Sequence, residues 1–358
     1  MFRIITLSLF IFIFISGCGK KKTGKIQAKN ILPKISIWRT QDGLSSNKIN
    51  CIARFDGKIW VGTDRGLNII DKNGKVEVIS KRNKRGLPSD KINKFLIDVK
   101  SLLIATENGL LIVKNKKWFP AGGRPIKDLY SFAGKIYCGT ASGVSIYNFS
   151  SWSHNTLERF KFPHRSVQTI SGDGQGYFFL GFPNGFAITD LKSEGRIFQG
   201  RQMRISLDGI WSYLPARPAS CNLLDNNIGD IFYLNKEIWL AHKIGLSIFN
   251  LNFWKNFTGD RVEEVIISGK LKRVQKPGNS GLLGSKIRDL VLHNKKIFIG
   301  SDKGLSILDP EKNSWSHPLK ETSFFTSGVT AIFVDEKFIY AGLSHKGLIQ
   351  ITRQVKKN

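Results

Sequence analysis

The 358-residue chain is poor in cysteine, with four, and in methionine, with two. None of the cysteines forms a Cys-x-x-Cys pair or a Cys/His group with zinc-ligand spacing, so a structural zinc site is excluded. Acidic residues are also scarce, 27 against 55 Lys and Arg, for a formal charge of +28. No apolar run approaches the roughly 20 residues that a membrane-spanning helix needs. The motifs that announce the common catalytic sites are missing as well: there is no Gly-x-Ser-x-Gly elbow, no His-Glu-x-x-His and no phosphate loop. Carboxylates are scattered rather than paired, which leaves a glycosidase without its two acids. From this we expect no enzyme, no cofactor and no metal.

What is present is repetition. Ile59-Trp-Val-Gly-Thr-Asp-Arg-Gly-Leu67 reads as a strand, a glycine turn and the start of a second strand. Variants recur at Ile104–Leu110, Cys138–Val144, Leu180–Phe186, Leu240–Leu246, Ile299–Leu305 and Ala341–Leu348. The last glycine of each copy, Gly66, Gly109, Gly143, Gly185, Gly245, Gly304 and Gly347, marks seven units at the period of a four-stranded propeller blade, about 40–50 residues. In the first unit, strand A lies near Ile49 to Phe55, B over Lys58 to Gly62, C from Leu67 to Ile70 and D from Val76 to Ile79. Strands A and B are expected to be apolar on both faces. Trp60 and Trp239 fall on B strands, and Trp118, Trp152, Trp211, Trp254 and Trp315 on expected D strands of blades two to six. Trp38 precedes the first unit, while the last stops after a C strand. The chain is therefore expected to be an all-β, seven-bladed β-propeller of four-stranded antiparallel blades, its N-terminal strand closing the last blade and removing an open edge. Long spacings place insertions near 191–223 and 259–282, both in D-to-A connections and both expected to crown the face that carries the glycine turns.

The N-terminus has a different character. Arg3 precedes a dozen apolar residues, Ile4 to Ile15, followed by Ser16-Gly17-Cys18. This resembles a bacterial lipoprotein signal with its lipobox, and the resemblance implies cleavage before Cys18 and lipidation of that thiol. Gly19 in place of Asp implies sorting to the outer membrane. Residues 1–17 are then the signal peptide, 18–34 the lipidated Cys and a Lys-rich polar tether, and 35–358 the propeller. Export separates the basic charge from nucleic acid and turns it toward acidic polymers of the envelope. Cys51 and Cys138 sit inside strand patterns and are expected to be small core residues, as free cysteines commonly are.

The units built from Gly43-Leu-Ser-Ser-Asn-Lys-Ile49 and Ile59–Leu67 resemble the two-component regulator propeller repeat of periplasmic sensor regions in hybrid histidine kinases. The resemblance covers nearly all of the chain from Ile35 to Ile351 and is weakest in unit four, where Phe182-Pro183 replaces the Thr. It implies recognition of an extracytoplasmic ligand such as a glycan. The chain departs from those kinases in having no second transmembrane helix, immunoglobulin-like linker or kinase, so transmembrane signalling is not expected of it alone.

The repeated glycines read as framework, permitting positive φ in tight turns, with Thr63, Thr106 or Thr140 bonding nearby backbone. The residues between them vary from blade to blade, as a composite recognition surface requires. The ligand-binding candidates are Asp64, Arg65, Glu107, Asn108, Ser142, Asn184, His242, Lys243, Asp302, Lys303, His345 and Lys346. Basic D-to-A connections add to that face: Lys81 to Arg85, Arg159 with Lys161 and Arg165, Arg196 with Arg201 and Arg204, and Lys270 with Lys272, Arg273 and Lys276. The expected function is a monomeric, membrane-anchored recognition module for an anionic or glycan ligand or an envelope protein partner. A metal-dependent lyase or hydrolase at the channel mouth, where His242 and His345 would be the first ligands to test, and a structural subunit of an envelope assembly are the alternatives.

Overall fold

Each glycine-bracketed stretch joins two antiparallel strands in the computed structural model, which describes residues 34–83, 86–155, 164–192, 194–199, 202–207, 210–214, 222–267, 270–318 and 328–353. The signal sequence, Cys18 and the tether up to residue 33, together with Cys221, Arg159, Lys161 and Arg201, lie outside the described residues. Residues from Pro33 onward form one compact unit. Among them no helix is long and apolar enough to cross a membrane.

Seven antiparallel sheets follow one another around the ring, each built from consecutive strands A to D. Blade one is Ile49–Phe55, Lys58–Thr63, Leu67–Ile70 and Val76–Ile79. Blade seven is Val329–Val334, Phe338–Leu343 and Leu348–Thr352, with Ile35–Trp38 as its outermost strand. That closing strand pairs Ile35 with Ile351 through to Trp38 with Leu348, so the two ends of the ring are zipped by a backbone ladder. The fold is the expected seven-bladed β-propeller. Between successive blades lie seven buried clusters of aliphatic and aromatic side chains, one per seam.

The glycine motif divides into two physical roles. The last glycine of each copy sits at positive φ, from 90° at Gly347 to 155° at Gly185, where a side chain would be strained. Thr63, Thr106 and Thr140 donate to the carbonyl of that glycine at 2.8, 2.8 and 2.9 Å, as the sequence suggests. The earlier glycine needs no unusual φ, contrary to expectation. Its role is close approach: a Cβ on Gly62 would lie 2.6 Å from Ile92 Cγ2, on Gly181 2.8 Å from Ile228 Cγ2 and on Gly342 2.7 Å from Ile49 Cβ. In each case this residue opens strand A of the next blade; strand A of the glycine's own blade crowds Gly62 and Gly181 as well, through Cys51 Sγ and Thr169 Cγ2.

Two further expectations are corrected. Blade four carries six strands, because residues placed in the first insertion supply its D strand, Glu194–Gln199, and a hairpin, Gln202–Leu207 and Ile210–Leu214, that continues the sheet outward. The described strands of this insertion therefore widen the rim of blade four, and the hairpin pairs with the edge of the D strand. Trp211 consequently lies on the sixth strand and not on strand D, where Phe198 is fully buried against Phe186 at 5.4 Å between ring centroids. Arg196 is on that D strand too, not in a connection. The second insertion is a separate two-stranded hairpin, Arg261–Ile267 and Lys270–Lys276, and its base does meet the turn face: Lys303 Nζ donates to Asp260 O at 3.2 Å.

Gly62→Ala is expected to lower stability by about 1–3 kcal/mol through overpacking against Ile92. Urea unfolding followed by tryptophan fluorescence checks it; the already alanine-bearing equivalent Ala105, changed to Gly, should show no comparable overpacking loss.

Candidate functional site

Five of the inner strands lead off with Ile and one with Val, and in each of those six the following residue is a β-bulge: register skips from Ile49 to Cys51, Ile92 to Lys94, Ile126 to Asp128, Ile228 to Asp230, Ile287 to Asp289 and Val329 to Ala331. A bulge sets two residues opposite one and re-aims their side chains. The bulge residues Asn50, Asn93, Lys127, Arg288 and Thr330 thereby gather, with Lys91 and Glu107, around one pocket of about 390 Å³. Since these residues come from strands A of blades one, two, three, six and seven, the pocket is the mouth of the central channel.

Hydrogen bonds fix part of this lip. Asn50 Nδ2 donates to Ile92 O at 2.8 Å, Asn93 Nδ2 to Ile126 O at 2.7 Å, and Thr330 Oγ1 to Ile49 O at 2.6 Å. Each bond crosses to the next blade, and the last one crosses the ring closure. Lys127 Nζ donates to Ser166 Oγ at 2.6 Å, and Lys91 Nζ meets Glu107 Oε1 at 2.7 Å. The hydrogen bond from Lys91, helped by Asn93, holds the Glu107 carboxyl below its usual range against the opposing effect of burial. Arg288 Nε is buried and without a hydrogen-bond partner. A guanidinium donor left unpaired at the wall of a polar pocket is the group that a ligand acceptor would satisfy.

One residue further along the strand, three blades place an aspartate, Asp128, Asp230 and Asp289, and blade two places Lys94. Lys94 Nζ stands 3.5 Å from Asp230 Oδ1 and 3.9 Å from Asp128 Oδ1. Asp128 Oδ2 accepts from Thr169 Oγ1 and the Ile170 amide, Asp230 Oδ2 from the Leu290 amide at 3.0 Å and Asp289 Oδ2 from the Ile332 amide at 2.6 Å. Three aspartates and one lysine thus bolt the inner strands together below a basic lip. The attraction of Asp230 pushes the Lys94 ammonium above its usual range despite burial. Burial pushes Asp230 up to about 7 and raises Asp289. Strands A are therefore not apolar on both faces, as the sequence reading holds; the face turned to the channel is charged because it borders a bore rather than a neighbouring sheet.

Of the sequence candidates, Glu107 alone borders this pocket. Arg65, Asn108, Lys243, Lys303 and His345 are exposed on the turns, and Asp64, Ser142, Asn184, Asp302 and Lys346 are half-buried there. Several are occupied with their surroundings: Asn108 Nδ2 reaches Pro88 O, Ser142 Oγ accepts from Arg124, and Asp302 Oδ1 accepts from the Lys286 amide. His242 ends strand B of blade five, 1 % exposed, where blades one, two, three and six carry Thr or Ser, and burial lowers its pKa to about 4. Among the described residues no three His, Cys, Asp or Glu side chains converge as a metal site. Cys51 and Cys138 are buried free thiols, as expected. The residues the sequence reading missed, Asn50, Asn93, Lys127 and Arg288, share one signal: a polar residue directly after the apolar residue that opens strand A, at a fixed place in the repeat.

Residues 43–65 match the family model described as two component regulator propeller. That repeat spans the loop before strand A, strand A itself and strand B up to Arg65. The extracellular domain described as that of a hybrid two component system, BT3049 of B. thetaiotaomicron, superposes with a TM-score of 0.65 at 18% identity, covering 88% of this chain and 41% of that one. The chain thus spans about two fifths of that domain's length. A streptogramin B lyase superposes with a TM-score of 0.56 at 9% identity, covering 89% of this chain and 97% of that one. A catalytically inactive virginiamycin B lyase from Staphylococcus aureus with quinupristin gives 0.55 at 10% identity, covering 90% and 100%. At these identities the likeness is one of fold. No curated protein sequence matches the chain.

Because the folded pKa of Asp230 lies above the unfolded value of about 3.9, its contribution to stability is present below pH 4 and lost as pH rises through about 7. The stability of Asp230→Asn relative to the natural protein should therefore rise by roughly 1–3 kcal/mol between pH 4 and pH 8. Urea titrations of both proteins across that window measure it.

Proposed function

We propose that the chain is a ligand-recognition module of the cell envelope, held to the membrane through Cys18, and that the channel mouth takes an anionic ligand such as an acidic glycan. The observation that carries this reading is Arg288: its Nε is buried and unpartnered at a pocket of about 390 Å³ that also presents Lys127 and Lys91. That volume falls in the range of small-ligand sites, roughly 300–1,000 Å³. The acidic bore beneath repels an anion, so the ligand's negative group stays at the lip while hydroxyls meet the amide oxygens of Asn50 and Asn93. A charge of +28 raises the local concentration of acidic partners. The family match to residues 43–65 and the fold shared with a sensor ectodomain support the same class of activity.

The lyase reading rests on fold likeness alone. His242 is shut inside the fold and lies outside the pocket lining, and no converging donor set marks a catalytic centre among the described residues.

Calorimetric titration of the full chain in detergent with galacturonate oligomers tests the proposal. Replacing both Arg288 and Lys127 by Gln should weaken binding about 100- to 10,000-fold, since hydrogen bonds to charged groups contribute about 1.5–3 kcal/mol each. Lys116→Gln, in a C-to-D turn at the opposite end, should leave affinity unchanged. Undiminished binding by the double variant would overturn the assignment of the mouth.

A further inference from the structure

The repeat supplies its own reference for judging an unusual residue. At the position of strand C that pairs with the aromatic or leucine of strand B, six blades place isoleucine: Ile69 opposite Trp60, Ile112 opposite Leu103, Ile146 opposite Tyr137, Ile188 opposite Phe179, Ile248 opposite Trp239 and Ile307 opposite Phe298. Blade seven places Gln350 there, opposite Tyr340, with Ser36 of the closing strand as its other neighbour. A polar row thus faces the seam with blade one where other seams hold packed aliphatic side chains. An amide at such a site is unfavourable unless its hydrogen-bonding groups are used.

A cleft of about 450 Å³ opens at that seam, on the end of the ring opposite the glycine turns, since the A-to-B and C-to-D turns of blade one, at Gly57 and Asp71–Gly74, border it. Its walls are of two kinds. Trp38, Phe338, Ile59 and Ile70 present apolar surface, and Trp38 is fixed there by donating Nε1 to Gly74 O at 3.1 Å. The polar edge is built around Tyr340, whose hydroxyl oxygen accepts from Arg54 at 3.2 Å and from Gln350 Nε2 at 3.1 Å. With both acceptor positions taken, the hydroxyl proton is left to donate into the cleft. Arg54 is neutralised by Asp335 at 2.7 Å, yet its Nε is buried and has no hydrogen-bond partner.

From this we infer that the seam between blades seven and one is a second ligand site, separate from the channel mouth, and that it takes an uncharged saccharide of one or two rings. The apolar walls suit the C–H faces of a sugar ring, and the Tyr340 hydroxyl, Gln350 and Arg54 Nε suit its hydroxyl edge. Arg54 is already paired with Asp335, and the other two cations of the lining, Lys34 and Lys72, are exposed to water, where a charge pair contributes little, so the inner groups of the cleft favour a neutral ligand. This inference stands independently of the reading given to the mouth.

The test uses the full chain in detergent, titrated calorimetrically with cellobiose, maltose, xylobiose and lactose, and with adenosine and galacturonate as contrasts. At least one neutral disaccharide should bind. Gln350→Ile, which installs the residue of the other six blades, should weaken that binding at least tenfold while the melting temperature stays equal or rises. Tyr340→Phe should weaken it too, and Arg288→Gln should leave it unchanged. The inference is overturned if none of the four disaccharides binds, if adenosine or galacturonate is the ligand that Gln350→Ile removes, if disaccharide binding survives Gln350→Ile, or if Arg288→Gln abolishes it.

Discussion

The structure depends on how closely each inner strand is drawn against the blade before it. At the glycine near the end of strand B in blades one, four and seven there is no room for a Cβ, because the Ile that opens the next strand A shares that space, in blades one and four, with Cys51 or Thr169 of the blade's own inner strand. Side-chain bonds from Asn50, Asn93 and Thr330 to the carbonyls of the neighbouring inner strand tighten the same contact from the channel side. One repeated contact therefore fixes blade spacing, and with it the radius at which the bulge residues meet around the axis. The lip of the mouth is a consequence of this packing: a residue that the bulge turns inward has only the channel to face.

Charge in the channel follows from the same geometry. Backbone amides of Ile170, Leu290 and Ile332 are offered to the bore, and aspartates one blade earlier accept from them. Three carboxylates brought so close demand a cation, which Lys94 supplies from blade two. The arrangement couples strands that are distant in sequence, from blade two to blade five, across the axis. It also gives the mouth its polarity, basic at the lip and acidic beneath, so that an entering anion is held at a defined depth.

Much of this was legible in the sequence because repetition averages out local ambiguity. Strands A to D of blade one and the closing strand at Ile35–Trp38 lie where periodicity, turn glycines and tryptophan placement put them. The misreadings have physical causes. Trp211 looked like a D-strand residue because tryptophan marks that strand in blades two, three, five and six, but in blade four Phe198 fills the buried place and the chain adds a hairpin at the rim. The first motif glycine reads in the sequence as a source of backbone freedom, whereas its requirement is space, a distinction that only the packed inner strands reveal. The variable turn residues read as the site, since loops carry function by default. It lies instead on the inner strands, where Lys127 and Arg288 were hidden inside segments that hydropathy marks as core. Gln350 was visible in the sequence, but its meaning needed the register, which aligns it with six isoleucines.

The central claim is that inner-strand bulges, rather than the turns, hold the ligand. A crystal structure of the full chain grown with digalacturonate tests it most directly. The account predicts density for the acid in the mouth, its carboxylate within hydrogen-bond reach of Arg288 and Lys127. Density on the outer turns, around Arg65, Lys303 or Lys346, with the mouth holding only solvent, would contradict it.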